Sequence, residues 1–365
     1  MVGIVCLWDR YATPYLAKYE ELLSSQGVDY EVIFWNRLTE KGKTTVTKDG
    51  RYIYLNQFCA SGKKKMLSFL QWRSNIIKIL KENHYDNLIL LSTVPAILLE
   101  EYIIGRYTGR YIFDIRDYTL EMVGLFRKLV MRLVNHSVLT TISSKGFLRW
   151  LEPSNKIMVN HNITVDESVD FDAPHFANDE KVRFSFVGNV RLDIQTRAML
   201  ISLGRREKLE QHFYGRVLSN CDIEQVIKDY GLTNVFLHGP FGVEEKRRIY
   251  AETDLINTVY VNAERVEDIP LGDSTPLPNR LYDALIFYRP LVTSRGTYLA
   301  ELSEKYHLGV NVNGFDASIE EEILDYVRHF NKEEFIRGCD ELRKEVIAEE
   351  KQFRNTIFQI LKDWR

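Results

Sequence analysis

The stretch LPNRLYDALIFYRPLVTSRG, Leu277–Gly296, decides how this chain is read. Pro278 opens a helix, Pro290 stops it, a short apolar strand follows, and Gly296 sits in the next turn. A proline-started helix offers unpaired backbone N–H groups and the positive end of its dipole, a natural seat for an anion such as a diphosphate. Asn279 and Asp283 are four apart and share a face. With Arg280 they are candidate ligand contacts. Leu281, Ala284, Leu285 and Tyr288 form the stripe that packs on a sheet. In isolation, an Asn and an Asp here also read as residues that merely stabilise a helix start.

The chain has 365 residues, more than one core usually serves, so two domains are expected. Its 45% hydrophobic and 27% charged residues are ordinary for a soluble globular protein. The net charge of −3 hides an asymmetry: residues 1–160 carry 22 Lys/Arg against 15 Asp/Glu, and residues 161–365 carry 26 against 36. A basic first half suits anionic lipid, nucleic acid or an anionic substrate. Cys6, Cys59, Cys221 and Cys339 form no CxxC pair, which argues against a zinc site or disulfide framework and for a reduced compartment. The apolar run Val2–Trp8 lacks a basic leader and reads as a first strand, not a signal peptide. No run approaches the roughly 18 apolar residues of a membrane span. A cytoplasmic protein is expected, with possible peripheral contact at the inner face of the membrane.

The patterns alternate. Strands are expected at Val2–Leu7, Tyr30–Trp35, Asn87–Leu91, Tyr111–Ile115, Val138–Ile142 and Lys156–Val159, separated by helices at 14–25, 63–81, 95–105 and 120–134. An Asp/Glu/Pro-rich lapse between Ile163 and Lys181 reads as a linker. The alternation then restarts at Phe184–Val187 and runs to two charged terminal helices. Repeated β-α units mean parallel sheets covered by helices. The expected fold is α/β, two doubly wound Rossmann-like domains facing across a cleft. The boundaries are residues 1–165 and 166–349, with a helix at 350–365 packing back on the first domain.

Such sheets bind ligands at the carboxyl ends of their strands, so the loops there are the candidates. Asp9, Arg10, Tyr11 and Thr13 follow the first strand without GxGxxG, which disfavours a dinucleotide cofactor. Gly188, Asn189 and Arg191 follow the first strand of the second domain, and Arg197 lies six beyond Arg191. Two guanidiniums from one strand–loop–helix unit can clamp a diphosphate; they are also simply two solvated surface arginines. Gly239 and Pro240 close a later strand and permit close approach of a ligand, although ordinary turns use such residues too. The long polar loop Tyr260–Pro278 carries Asp273 and Thr275. In the first domain Asp114, Arg116 and Asp117 close a strand. Asp117 is a candidate general base and Arg116 an acceptor contact, or Asp114 and Arg116 form a structural pair. His161 near the hinge is a candidate acceptor contact, though a lone histidine there is more often structural. Asp170-Phe171-Asp172 imitates a metal-binding DxD but lies in an acidic linker, and no HExxH, Walker loop or Cys/His cluster appears, so no metal is expected.

Taken in order, YIFDIRDY (Tyr111–Tyr118), FVGNVR (Phe186–Arg191) and the Pro278–Glu301 block resemble GT-B-fold glycosyltransferases, particularly the family-4-like enzymes of bacterial surface and capsular polysaccharide assembly. The resemblance covers nearly the whole chain. It implies a nucleotide-sugar donor, with UDP the expected nucleotide, held by the second domain and a glycan or lipid-linked acceptor held by the first. The nucleotide-sugar is a co-substrate, and no cofactor is implied. It also implies that Arg191 and Arg197 stand where the family places an Arg and a Lys on the donor diphosphate. The family's Glu-x7-Glu pair falls on Thr275 and Asp283, so its first carboxylate is replaced.

Two further classes compete with sugar transfer. A nucleotide-sugar epimerase of the same fold would turn over donor without acceptor. A catalytically silent nucleotide-sugar-binding partner would bind donor and release nothing, and the lost carboxylate at Thr275 favours it. Lys63–Arg73 and Val123–Val134 mix basic residues with Phe, Trp and Leu, as helices on an anionic membrane do; a helix packed on the sheet with a basic rim has the same composition. No recognition motif accompanies the charge, so nucleic acid is not an expected partner.

Overall fold

The computed structural model describes residues 1–10, 13–119, 123–166, 170–174, 176 and 181–364. Tyr11, the expected start of a helix at 120–122 and parts of the acidic linker lie outside them. Two compact units divide the chain: Met1–Asn162 with Glu349–Arg365, and Ile163–Ala348.

The first unit contains β1 (Val2–Cys6), α1 (Leu16–Ser25), β2 (Tyr30–Leu38), β3 (Thr45–Asp49), β4 (Tyr52–Phe58), α2 (Lys65–Asn83), β5 (Asn87–Leu91), α3 (Thr93–Tyr107), β6 (Tyr111–Ile115), α4 (Gly124–His136), β7 (Leu139–Ile142) and β8 (Ile157–Val159). The sheet order is β3-β4-β2-β1-β5-β6-β7-β8, and every neighbouring pair is parallel except β3 with β4. β1 and β5 are buried throughout, as continuous apolar runs between two helical layers should be. The β3–β4 hairpin was not expected. Its first strand is exposed at every residue and lacks apolar alternation; only the turn residue Gly50, at φ 56°, marks it.

The second unit contains β9 (Val182–Val187), α5 (Ile194–Leu203), β10 (Leu209–Tyr214), α6 (Ile223–Tyr230), β11 (Val235–Gly239), α7 (Lys246–Ala251), β12 (Leu255–Thr258), α8 (Leu271–Ser274), α9 (Asn279–Phe287), β13 (Leu291–Ser294), α10 (Tyr298–Lys305), β14 (Gly309–Val312) and α11 (Ile319–Arg328). Its order is β11-β10-β9-β12-β13-β14, parallel throughout. α9 begins at Pro278 and ends where Tyr288 takes a left-handed conformation at φ 43°, two residues before Pro290. The stop predicted from Pro290 is therefore executed by Tyr288.

The last helix, α12 (Lys332–Asp363), starts in the second unit and finishes in the first. Phe353, Ile357 and Leu361 enter the core over β1 and α1. Lys18 Nζ donates to Glu350 Oε2 at 2.7 Å, to Asn160 Oδ1 at 3.1 Å and to the His161 carbonyl at 2.8 Å.

In each sheet the first strand has a neighbour on either side reached by chain segments winding in opposite directions: β1 lies between β2 and β5, and β9 between β10 and β12. Carboxyl ends at such switch points are where doubly wound sheets open a crevice.

Candidate functional site: an anion seat in the second unit

At the β9/β12 switch point the chain end of β9 turns at Gly188, whose φ is +146°. Gly188 N donates to the Tyr214 carbonyl at 2.9 Å and Gly215 N to the Gly239 carbonyl at 2.8 Å, so three neighbouring strands are tied at their carboxyl ends. A Cβ on Gly215 would stand 1.8 Å from the Gly188 oxygen, which leaves room for glycine alone. Asn189 is exposed beyond this turn, and Arg191 follows with its side chain 54% exposed.

Arg191 Nε donates to Asp193 Oδ2 at 2.9 Å. Asp193 also accepts from Asn262 Nδ2 at 3.1 Å, and the Asn262 backbone N–H donates to Asp273 at 2.8 Å. The loop after β9 is thereby tied to the long loop after β12. Burial raises the Asp193 carboxyl above its ordinary range, and Arg191 pulls it partly back.

Arg280, in the first turn of α9, completes the arrangement. Its guanidinium lies 4.0 Å over the ring of Phe186 and donates to the Asn257 carbonyl. Burial pushes its pKa down to about 10; Tyr250 and Tyr260 oppose this shift, while the charge of Arg191 adds to it. Among the described residues no carboxylate forms an ion pair with it. A desolvated cation repelled by a second cation is an environment that an anion relieves. α9 carries no side-chain cap at Pro278, so among the described residues no side chain closes its opening amides, and Asn279 is exposed beside them. Two guanidiniums and a helix tip converge within one unit.

The structure corrects several expectations. Arg197 does not join Arg191: it is ion-paired with Asp222 on an exposed face. Gln195, two residues earlier and so about 200° around the helix, faces the β12 loop through Ala263. The second cation whose charge reaches the same place as that of Arg191 is Arg280. Thr275 is fully buried and donates to the Leu271 carbonyl, so its hydroxyl is turned inward. Asp283 is 3% exposed and accepts from Lys246 at 2.8 Å and from the Tyr250 hydroxyl at 2.7 Å. It fastens α7 to α9 and is not an open ligand contact. Gly239 and Pro240 line a cavity of about 170 Å³ with the stacked rings of Tyr214 and His238.

In the first unit Asp114 and Arg116 form a buried ion pair at 2.7 Å, and Thr141 Oγ1 also donates to Asp114. Arg116 spends its remaining contacts on the Asn160 carbonyl and Asn162. The structural alternative holds for this pair, and the acceptor role expected of Arg116 does not. His161 is 5% exposed and bonded to Glu349 at 2.8 Å, so it anchors α12 and is withdrawn as an acceptor contact. Asp117 stands accessible at the carboxyl end of β6; desolvation by its surroundings raises its carboxyl, which Arg116 partly offsets. Asp9 and Arg10 are exposed after β1, with Arg10 4.0 Å from Glu20. Asp170 of the DxD pairs with Arg247, and among the described residues no three His, Cys, Asp or Glu side chains group as a cation site. No helix among them is long and apolar enough to cross a membrane.

Sequence reading missed Phe186, Asn257, Lys246 and Tyr250. Phe186 alone had a signal, standing two residues before the glycine turn on the strand whose end forms the site.

No protein-family model and no curated protein matches the chain in sequence. Solved structures match along its full length. The sucrose-phosphate synthase of Thermosynechococcus elongatus superposes with a TM-score of 0.70 at 11% identity, over 100% of this chain and 98% of that one. An E. coli trehalose-6-phosphate structure bound with UDP-2-fluoro glucose gives 0.67 at 11%, over 98% and 99%. The lipopolysaccharide outer core galactosyltransferase WaaB gives 0.64 at 14%, over 98% and 99%. The fold is GT-B-like. At such identities the likeness speaks for architecture alone.

Proposed function

We propose that the protein is a glycosyltransferase that moves a sugar from a nucleotide-sugar, UDP-linked, to a glycan or lipid-linked acceptor in surface polysaccharide assembly, without a metal ion. The observation that carries this reading is the Arg191–Arg280 pair at the tip of α9, a cationic seat at the switch point of a GT-B-like second domain. One structural neighbour is bound with UDP-2-fluoro glucose, which supports the donor class.

When the sugar–phosphate bond breaks, negative charge grows on the departing nucleoside diphosphate. Arg191, Arg280 and the opening amides of α9 are fixed by the fold before that charge appears, so they stabilise it without reorganising. Phe186 and Asn257 hold the Arg280 fork in place. Arg197 has no part in this step. Asp117, with its raised carboxyl pKa, is assigned to orient the acceptor hydroxyl and take its proton.

A second reading is favoured by Thr275 and Asp283. Neither offers an open carboxylate to the donor, as a silent nucleotide-sugar-binding protein would require. One assay separates the two: purified protein is incubated with UDP-sugars and an extract of cell-surface acceptors, and release of UDP is followed. Acceptor-dependent release supports transfer. Saturable binding with neither release nor change of the donor supports the silent reading; conversion of one UDP-sugar into another without acceptor supports an epimerase, and UDP release without acceptor marks hydrolysis.

A further inference from the structure

Arg37 is the penultimate residue of β2, at the carboxyl edge of the first sheet. Trp8 leaves the end of β1 beside it and is 44% exposed. The Arg37 guanidinium carbon lies 3.5 Å from the Trp8 ring centroid and 4.4 Å from that of Trp35, with Phe69 at 5.8 Å. Nε and Nη2 are shielded from solvent, and among the described residues they have no hydrogen-bond partner and no carboxylate pairs with the group. Burial lowers the Arg37 pKa, as desolvation of an uncompensated cation does.

Aromatic faces recover part of the cost of such burial, but two unmade charged hydrogen bonds remain. A methionine or leucine would fill the same space between two indoles at no such cost. The neighbourhood adds to the imbalance. Lys63, Lys64 and Lys65 are exposed at the start of α2, Lys65 Nζ lies 5.9 Å from the Phe69 ring, and none of the three is ion-paired among the described residues. Among the described residues the corner is cationic and unneutralised, at the carboxyl edge of the first sheet on the β2 side of β1, in the unit assigned to the acceptor.

We propose that Trp8 and Arg37 form a subsite for an anionic group, phosphate or carboxylate, carried by the sugar acceptor. The half-open indole turns aside to admit the group, which takes the orphaned Nε–H and Nη2–H as a two-pronged contact while the lysines attract it. The proposal rests on the glycosyltransferase reading, since it names the acceptor of that reaction as acidic.

The test is calorimetry on the full chain with glucose 6-phosphate, glucuronate, glucose and inorganic phosphate, and with UDP as a control. Wild-type protein is expected to bind at least one acidic sugar at least tenfold more tightly than glucose or inorganic phosphate. Arg37→Met should weaken that binding roughly ten- to hundred-fold, while UDP affinity stays unchanged and the melting temperature is unchanged or higher. Arg37→Lys, which keeps the charge and loses the fork, should weaken it by about tenfold. Trp8→Phe should keep the affinity and remove the tryptophan emission change that accompanies it. Acidic sugars bound equally by wild type and Arg37→Met, or no more tightly than glucose, would overturn the subsite. Inorganic phosphate bound as tightly as the sugar phosphate would overturn its assignment to the acceptor. Loss of UDP binding in wild-type protein would instead strike the donor reading.

Discussion

Arg280 lies over Phe186, 4.0 Å from guanidinium carbon to ring centroid, so that a residue opening α9 rests on the penultimate residue of β9. This contact joins two segments more than ninety residues apart in sequence and aims a desolvated cation into the same corner as Arg191.

The two arginines of the loop and helix after β9 should therefore behave differently. Arg191→Ala is expected to slow sugar transfer by roughly 10²–10³, the usual cost of removing one preorganised donor. Arg197→Ala should remain within about twofold of wild type, because its exposed partner is Asp222 and surface pairs contribute only about 0–1 kcal/mol. Initial rates at saturating acceptor decide it; equal losses in both variants would restore the original clamp.

The end of α12 should depend on one buried ion pair. Lys18 and Glu350 side chains are 9% and 8% exposed, and burial lowers the lysine pKa while Glu350 holds it up. Lys18→Met leaves Glu350 with Arg354, at 2.9 Å, as its remaining cation and should cost about 1–3 kcal/mol of urea stability. Lys18→Met with Glu350→Leu should recover most of that loss. Hydrogen exchange should show α12 protection beyond residue 349 falling first in the single variant.

Acid should loosen the edge of the second sheet. His212 Nδ1 and His238 Nε2 are 2.9 Å apart, and both pKa values are lowered, first by burial and then by Arg183. Arg248 adds to the lowering at His238, while Glu210 beside His212 and Glu252 beside His238 oppose it. Because the folded values lie below the unfolded value of about 6.5, the unfolded chain binds protons first as pH falls. This contribution to stability is complete above about pH 6.5 and declines below it. Melting temperatures between pH 7.5 and 5 should fall in wild type and fall less in His238→Gln.

Gly215→Ala should be severely destabilising, by about 4 kcal/mol or more, since its new methyl meets the Gly188 carbonyl and its φ is +139°. Gly42→Ala, with nothing within 4 Å of the added carbon, is the control and should melt as wild type does.

The two parallel sheets were legible because strand and helix patterns alternate and a buried strand such as Val2–Cys6 is an unbroken apolar run. The β3–β4 hairpin was not, because an exposed strand carries no apolar period. Within the site, Arg191, Asn279 and the helix tip followed from local pattern. The pairing of Arg191 with Arg280 did not, because it depends on β9 lying beside β12, a long-range fact that spacing along one helix cannot contain. Thr275, Asp283, Arg116 and His161 misled for a shared reason. A polar residue at a strand or helix end looks alike in sequence whether it faces a ligand or a buried partner such as Lys246, Asp114 or Glu349.

The central claim is that Arg280 meets the donor diphosphate, and the most direct measurement is UDP binding by calorimetry to wild type and Arg280→Met. The account predicts saturable binding to wild type and a loss of roughly ten- to hundred-fold in the variant at an unchanged or higher melting temperature. UDP bound equally well by both proteins would contradict it.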